Sequence, residues 1–345
     1  MITTPQQVPG SSQAALLDAS MLAALSRPVL ARDADATYWM SRYIERAEHV
    51  ARLLLVNSEA LIDIGDVAEA LLDRHWQSIL KIMNIEPMVD DADEPLSARI
   101  AQYMTFDHEN VNSLIRCLTR ARENARGIRE VISSEMWEQL NKLYWSIRSD
   151  EAQNLFRETP DQFYQQIIVG SMLFQGLTDQ TLMHGQRWYF TQLGKYFERI
   201  MVTCRTLATK YEILSDAEWA ETPLVNIHWS AVLRSCGSIE AYRRTHLGEL
   251  DLAHIAQFLI LQEDFPRSVR YCVKQAHEAI ASIRAAVRPR GAVDPAERIL
   301  GRLDAQLEYA EPVYLLASGL SAFLRQILES ITQAALAVQQ SFFLY

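Results

Sequence analysis

The sequence predicts an all-α protein, a multi-helix bundle with essentially no β-sheet. Three observations support this fold class. Only 12 of the 345 residues are Gly, while Ala, Leu, Glu, Gln and Arg, which lose little on entering a helix, are abundant. Apolar residues recur at steps of three and four, as on one face of a helix. No stretch alternates apolar and polar residues with enrichment of β-branched residues, as a half-buried strand does.

The periodic segments predict the helices in chain order. The first runs from Asp33 to a stop at Gly65, and the second covers 66–85. The acidic segment 86–94 is predicted to be an exposed loop. Further helices are predicted at 97–106, 107–132, 134–148, from Thr159-Pro160, at 180–212, from Ser215, and at 227–245, 250–263, 266–288 and 296–340. Thr159 and Ser215 begin capping-box patterns, and Asp294 is the predicted start of the last helix. Residues 1–29 are predicted to form a partly disordered N-terminal extension with one short helix at 14–25.

One motif occurs twice within these helical segments. The pattern Tyr-x-Glu-Arg-x5-Arg begins at Tyr43 and again at Tyr196. Two matches at identical spacing are typical of an internal duplication. We therefore predict two related helical halves, 30–150 and 155–345, packed as one body.

The surroundings predicted for the two copies differ. In the first copy, Glu45 and Arg52 lie opposite the apolar face, on a polar side that water could cover. In the second copy, Met201 and Val202 flank the equivalent side, which predicts a helix buried all round. That would place three charged side chains of the second copy inside the protein: Glu198, Arg199 and Arg205.

Three interpretations of these charges follow. Buried charges must be paired, so they could form an internal Glu–Arg network that ties helices together. They could instead line a polar pocket for a ligand, or simply lie at the surface. In a ligand pocket, the anion-binding candidates are Arg46, Arg199 and Arg205, held in place by Glu45 and Glu198, with Trp39, Tyr43 and Tyr196 as walls and Arg52 beside them. Glu198 is the candidate catalytic base of that pocket.

Two further groups of arginines are candidates for anion binding. Arg122 and Arg126 share one helical stripe and could grip a phosphate or carboxylate, although neighbouring glutamates favour a self-paired face. Arg267 follows Pro266 at a predicted helix start, where free N–H groups attract anions. An ordinary capped N-terminus explains Arg267 equally well.

Composition and missing motifs exclude several classes of protein. The formal net charge of −10 argues against nucleic-acid binding. No stretch reaches the roughly 18 apolar residues of a membrane span. The four cysteines form no Cys-x-x-Cys pair and the N-terminus resembles no secretory signal, so we expect a soluble cytoplasmic protein. Because nucleotide-binding loops and Glu-x-x-His pairs are lacking, we expect no metal site and no cofactor bound by this chain alone.

The run from residue 30 to 48, which contains the first motif, resembles the opening of the bacterial alpha-E family. This family is an all-helical domain named for its recurring Glu-Arg motif. The resemblance extends over about 30–290 and includes 121–126, 132–138, 196–199, 233–235, 242–244 and 265–268.

The resemblance implies a role beside another protein. Alpha-E proteins are typically encoded next to, or fused to, circularly permuted ATP-grasp proteins, with a proposed role in ATP-dependent peptide-bond formation or peptide modification. We therefore expect a helical partner subunit that binds an ATP-grasp-type protein and possibly its peptide substrate, with ATP and Mg²⁺ on the partner. The alternatives are a catalyst acting on a carboxylate- or phosphate-bearing substrate, and a purely structural interaction scaffold.

Overall fold

The computed structural model describes residues 29–64, 69–88, 94–214, 224–246, 250–287, 292–312 and 319–343. Within these ranges the regular structure is helical, with no strand, which confirms the predicted fold class. The helices are α1 Ala31–Ile64, α2 Glu69–Ile82, α3 Leu96–Phe106, α4 Leu114–Gly127, α5 Ser134–Ser146, α6 Asp150–Glu158, α7 Pro160–Thr181, α8 Gln186–Leu214, α9 Leu224–Ser235, α10 Ile239–Thr245, α11 Leu252–Leu261, α12 Val269–Val287, α13 Pro295–Glu308 and α14 Leu320–Val338, followed by a π-helical turn Gln339–Phe343.

Two long helices, α1 and α8, carry the two motif copies and pack against each other. Helix α1 also contacts α4 and α7, and α8 also contacts α12 and α14. The crossing is close at Gly194, where an added Cβ would lie 2.3 Å from the carbonyl oxygen of Tyr38. Only a residue without a side chain permits this approach, so Gly194 sets how near the two motif helices come.

The apolar side chains form two clusters around this pair. The first contains residues of α1 to α7, including Phe163 and Phe174 of α7. The second contains residues of α8 to α14, together with Ala34 and Tyr38 from the start of α1. Helices α6 and α7 thus pack with the first cluster, although the sequence places 155–345 in the second half. The division into two related halves stays a prediction.

Three predicted helices are shorter or broken in the structure. The segment 107–132 was expected to be continuous, but Asp107 accepts the N–H groups of Glu109 and Asn110 in a turn, and α4 begins only after Ser113. The predicted helix 227–245 is interrupted at Gly237, which has φ 62°. The predicted helix 296–340 is also wrong as a single helix, because α13 ends at Glu308 and α14 begins after Gly319 at φ 92°.

Two predicted helix starts, at Thr159-Pro160 and at Asp294, are confirmed in position. Asp294 accepts the N–H of Ala296 and so caps α13 as expected. Pro160 is the first residue of α7, but the side chain of Thr159 makes no cap hydrogen bond there, so the predicted capping box is not formed. The helices predicted at 14–25 and from Ser215, and most of the N-terminal extension, lie outside the described residues. Among the helices described, none combines the length and apolar character that crossing a membrane requires.

Candidate functional site

The two Tyr-x-Glu-Arg motifs meet at the crossing of α1 and α8 and exchange ion pairs. Arg199 Nε donates to Glu45 Oε1 at 2.6 Å, and its Nη2 donates to Glu45 Oε2 at 3.2 Å. Arg46 Nε donates to Glu198 Oε1 at 2.6 Å, and its Nη2 to Glu198 Oε2 at 3.1 Å. The Glu of each copy is therefore held in a bidentate pair by the Arg of the other copy.

Each motif carboxylate receives a further cation. Arg42, one turn before Arg46 on α1, donates from Nε to Glu198 Oε2 at 2.8 Å. Arg267, in the turn before α12, donates from Nη1 to Glu45 Oε1 at 3.3 Å. Both glutamates are buried, with side chains 4% and 1% exposed for Glu198 and Glu45.

The network continues along α1 through Glu48. Arg52 donates from Nε and Nη2 to Glu48 Oε1 at 2.9 and 2.8 Å, and Arg267 Nη2 donates to the same oxygen. The second oxygen, Oε2, is buried and has no hydrogen-bond partner among the residues that the structure describes. Glu48 and Arg52 thus pair at i,i+4 spacing, and the next residue, His49, contacts the hydroxyl of Thr206 on α8 at 3.2 Å.

We call this set the Glu–Arg centre; its members are Arg42, Glu45, Arg46, Glu48, Arg52, Glu198, Arg199 and Arg267. It contains five arginines and three glutamates, and therefore two positive charges in excess. The expectation that water covers the polar side of the first copy is therefore wrong. Glu45 is as buried as Glu198 because α7, α8 and the turn before α12 cover that side of α1. Of the three interpretations of the motif charges, the internal network is the one formed by Glu45, Arg46, Glu198 and Arg199. Arg205 was expected inside the protein as well, but it is partly exposed and lies outside the network.

The surroundings of the two motif copies match in detail. Arg46 Nη1 donates to the side chain of Asn112 at 3.1 Å, just before α4, and Arg199 Nη1 donates to the carbonyl of Pro266 at 3.2 Å, just before α12. Each of these helices begins with a capping serine, Ser113 or Ser268, whose hydroxyl donates to a carbonyl six residues earlier. These equivalent contacts support the predicted duplication, which remains a proposal.

The electrostatics of Glu198 argue against its role as a base. Burial would raise the pKa of this carboxyl, but the charges and hydrogen bonds of Arg46 and Arg42 outweigh burial and lower the pKa to about 2. Both oxygens are occupied by guanidinium donors. A carboxylate of such low basicity, with both oxygens bound to arginines, is a poor proton acceptor.

The aromatic candidates have different positions. Trp39 lies against the Arg42 guanidinium at 4.9 Å and Tyr43 against that of Arg46 at 5.6 Å, so both cover the centre from the α1 side. Tyr196 instead lines a separate cavity of about 280 Å³ between α8 and α12. The three aromatic residues therefore do not enclose one pocket.

The remaining arginine candidates lie in different parts of the structure. Arg267 belongs to the centre, with carboxylates as its partners. Arg122 lies on α4 away from the centre, donates to Asn141 at 2.7 Å and rests on Tyr144 at 4.6 Å, while Arg126 is exposed. Arg205 is partly exposed on α8 and makes no hydrogen bond or ion pair with any residue that the structure describes.

Sequence reasoning missed several polar residues of the interior. Arg42 was not a candidate, although a basic residue stands three positions before each motif Glu, Arg42 in the first copy and Lys195 in the second. Lys195 is buried, and burial together with the charge of Arg199 lowers its pKa to about 8. That repeated basic residue is the signal by which both could have been found.

A second buried polar cluster was also missed. Lys210 Nζ of α8 lies 2.9 Å from Nδ1 of His75 on α2, whose ring stacks on His228 of α9 with centroids 4.2 Å apart. Burial lowers the pKa of Lys210 to about 7 and that of His228 to about 4. The cluster joins α2 to α8 across 135 residues, from His75 to Lys210, so no linear spacing reveals it. In the described ranges no group of His, Cys, Asp and Glu side chains has the arrangement of a metal site.

The fold and the paired motifs define a class of helical protein built on a Glu–Arg centre. The chain matches the Alpha-E family, described as a predicted alpha-helical domain with a conserved ER motif, over residues 29–343. It belongs to the Alpha-E family.

The chain is also similar to longer proteins of mycobacteria. Uncharacterized proteins of Mycobacterium bovis and Mycobacterium tuberculosis are each 25% identical to it over 317 residues, a region that covers 85% of this chain and 34% of each relative. The chain thus spans about a third of the length of the curated relatives it matches. No solved structure matches it significantly.

Proposed function

We propose that the chain is a helical partner subunit of an ATP-grasp amidoligase-type system that synthesises or modifies peptides. The observation that carries the proposal is the length of the relatives: the matched region is 34% of each, so there an Alpha-E-like segment is joined to a larger amount of other chain. A segment joined to other chain in one protein is typical of a module that works beside another domain. The resemblance of the sequence supplies the identity of the partner, with ATP and Mg²⁺ bound by the ATP-grasp protein.

The Glu–Arg centre gives this subunit a fixed core and a polar, cation-rich interior. Its ion pairs join α1 to α8 and to the turn before α12. Buried pairs of this kind contribute little net stability but penalise any arrangement in which the partners are separated. We infer that the centre fixes the relative position of the helices on which the partner docks.

The surface that fits a docking role lies on α7. Val169, Met172 and Leu173 follow one another at i, i+3 and i+4 and are 53%, 50% and 50% exposed. Single exposed apolar residues are ordinary, but three large ones on successive turns form a stripe of the kind found at interfaces. The stripe borders an open groove of about 690 Å³ between α1 and α7, which Val169 also lines.

The stripe is connected to the Glu–Arg centre. Arg52 Nη2, which binds Glu48, also donates to the thioether of Met172 at 3.3 Å. A partner that covers the stripe would therefore bury Arg52 further and strengthen its pairing, because a less exposed pair is screened less by water. We propose that the ATP-grasp-type protein is the occupant of this surface.

The experiment is co-purification followed by reconstitution. The tagged chain is isolated from its native host, and an ATP-grasp protein recovered in near-equal amount is then expressed and mixed with it for size-exclusion chromatography with light scattering. We expect a defined complex that Met172→Glu weakens at least about 10-fold, since a buried charge at an interface costs more than 1.4 kcal/mol. The matched control is Leu336→Glu on α14, where the side chain is 54% exposed.

Two outcomes would contradict the proposal. The chain could be recovered alone, or the complex could be equally sensitive to Met172→Glu and Leu336→Glu. ATP turnover with candidate peptides separates the remaining alternatives: a pure scaffold binds the partner without changing turnover, whereas a partner subunit changes it. The alternative in which this chain is itself the catalyst lacks support from the occupied, weakly basic carboxylate of Glu198.

A further inference from the structure

The two motif copies differ three residues after the motif Glu. This position is Glu48 in the first copy and Met201 in the second, and in both copies an Arg follows one turn later, Arg52 and Arg205. The equivalent arginines therefore have different neighbours at i−4, the position that best pairs with them on a helix.

The difference decides whether the arginine is paired. In the first copy, Arg52 directs two N–H groups at Glu48 Oε1, at 2.9 and 2.8 Å. In the second copy, none of the described carboxylates lies within ion-pair distance of Arg205, and the residue at i−4 is the uncharged Met201. We propose that Arg205 binds a carboxylate group of a second molecule. This carboxylate would pair with Arg205 as the Glu48 carboxylate pairs with Arg52.

The electrostatic field around Arg205 favours an anion. Arg205 lies near Glu198, but both oxygens of that carboxylate are already held by Arg42 and Arg46. Three arginines, Arg42, Arg46 and Arg205, therefore lie near the single carboxylate of Glu198. Partial burial lowers the pKa of the Arg205 guanidinium, and the charges of Arg46 and Arg42 act in the same direction. An added negative charge relieves this repulsion.

A second underused donor lies beside the proposed position. Arg42 Nη2 donates to the Met201 sulfur at 3.2 Å, and a thioether is a weak acceptor. A carboxylate at Met201 would offer a stronger acceptor to this N–H group as well as to Arg205. The planar guanidinium matches the two oxygens of a carboxylate, and Arg205 is partly exposed, so a group from outside reaches it.

The test is an NMR titration of the arginine Nε–Hε signals of the whole chain. The probes are an acetylated tetra-alanine with a free C-terminus, its amidated form, an amidated tetrapeptide with one Glu side chain, and inorganic phosphate. We expect the Arg205 signal to shift and saturate with a carboxylate probe and to remain unchanged with the amidated alanine peptide. A stronger response to the alanine peptide with a free C-terminus shows that a terminal carboxylate is preferred. A stronger response to the amidated Glu peptide shows that a side-chain carboxylate is preferred.

Two variants and a control locate the site. Arg205→Gln should weaken carboxylate binding about 10-fold or more, as expected for a lost charged hydrogen bond. Met201→Glu should weaken it similarly, because it supplies the carboxylate within the chain, and should raise the melting temperature. Arg298→Gln, at an exposed position of α13, should leave binding unchanged. Met201→Glu keeps the test valid even where Arg205→Gln does not fold.

Three results would overturn the proposal: no response of Arg205 to either carboxylate probe, a stronger response to phosphate than to both, or undiminished binding by Met201→Glu. The titration uses this chain alone and does not rest on the proposed function. Failure to bind a peptide carboxylate therefore leaves the co-purification experiment unaffected, and failure to co-purify leaves the titration unaffected.

Discussion

Arg199 Nε lies 2.6 Å from Glu45 Oε1, although the two residues are 154 positions apart in the chain. Arg46 and Glu198 form the reciprocal contact at the same distance. Adjacent side chains on a helix point in different directions, so the Glu and Arg of one motif cannot pair with each other. The motif is complete only when a second copy lies across it, and this accounts for its occurrence on two helices of one chain.

Glu198→Gln should lower the free energy of unfolding by about 3–5 kcal/mol, because it leaves Arg42 and Arg46 buried without a counter-charge. Denaturant unfolding at neutral pH measures the change. Glu109→Gln, at an exposed position, is the control and should have almost no effect. A Glu198→Gln protein of normal stability that lost turnover in a reconstituted system would instead support the catalytic alternative.

Gly194→Ala should destabilise the protein by about 1–3 kcal/mol, because the new Cβ would lie 2.3 Å from the carbonyl oxygen of Tyr38 and the backbone of α1 would have to move. Thermal unfolding of the variant measures this. Gly176→Ala on α7 is the matched control, since a Cβ there meets nothing within 4 Å. The control should gain up to about 1 kcal/mol from helix propensity. Equal effects of the two substitutions would show that α1 and α8 do not cross as closely as described.

Lys210 should make stability rise with pH just above neutrality. Burial lowers its pKa from 10.5 to about 7, so above about pH 7 the unfolded chain keeps a proton that the folded chain has released. The neighbouring His75 and His228 are already neutral there, because burial and the charge of Lys210 lower the pKa of both rings. The contribution of Lys210 approaches about 1.4 kcal/mol per pH unit between about pH 7 and 8.5.

Lys210→Met removes that contribution and should flatten the pH dependence, with higher stability than the native chain near pH 7. Lys195, with its pKa lowered to about 8, adds a smaller slope in the same direction that the variant keeps. Chemical denaturation at intervals between about pH 6.5 and 8.5 gives both curves. Parallel curves would mean that Lys210 remains protonated in the folded protein.

Much of the fold could be predicted because it depends on local signals. Apolar periodicity identified the two motif helices, and Asp294 marked the start of α13. The breaks within the predicted helices 107–132, 227–245 and 296–340 were not predicted, because the surrounding residues are good helix formers. Gly237 interrupts a helical pattern at φ 62°, and Arg52 and Arg267 lie beside it, a contact between distant segments.

The sequence predicted a network of buried Glu–Arg pairs, but not all the residues that form the Glu–Arg centre. The sequence indicated buried, paired motif charges for the second copy, because Met201 and Val202 made that helix apolar on both sides. It gave no such indication for Glu45, whose burial depends on α7 and on the turn carrying Arg267. Pairing across 150 or more residues is set by the tertiary fold, which local periodicity does not contain.

The two motif copies hold α1 and α8 together through their crossed ion pairs. A double-mutant cycle on Glu45→Gln and Arg199→Gln, measured as free energies of unfolding, tests this directly. We expect each single substitution to be strongly destabilising and the double variant to lose less stability than their sum, with a coupling energy of about 1–3 kcal/mol. Additive losses, with a coupling below about 0.5 kcal/mol, would show that the two side chains do not interact and would contradict the claim.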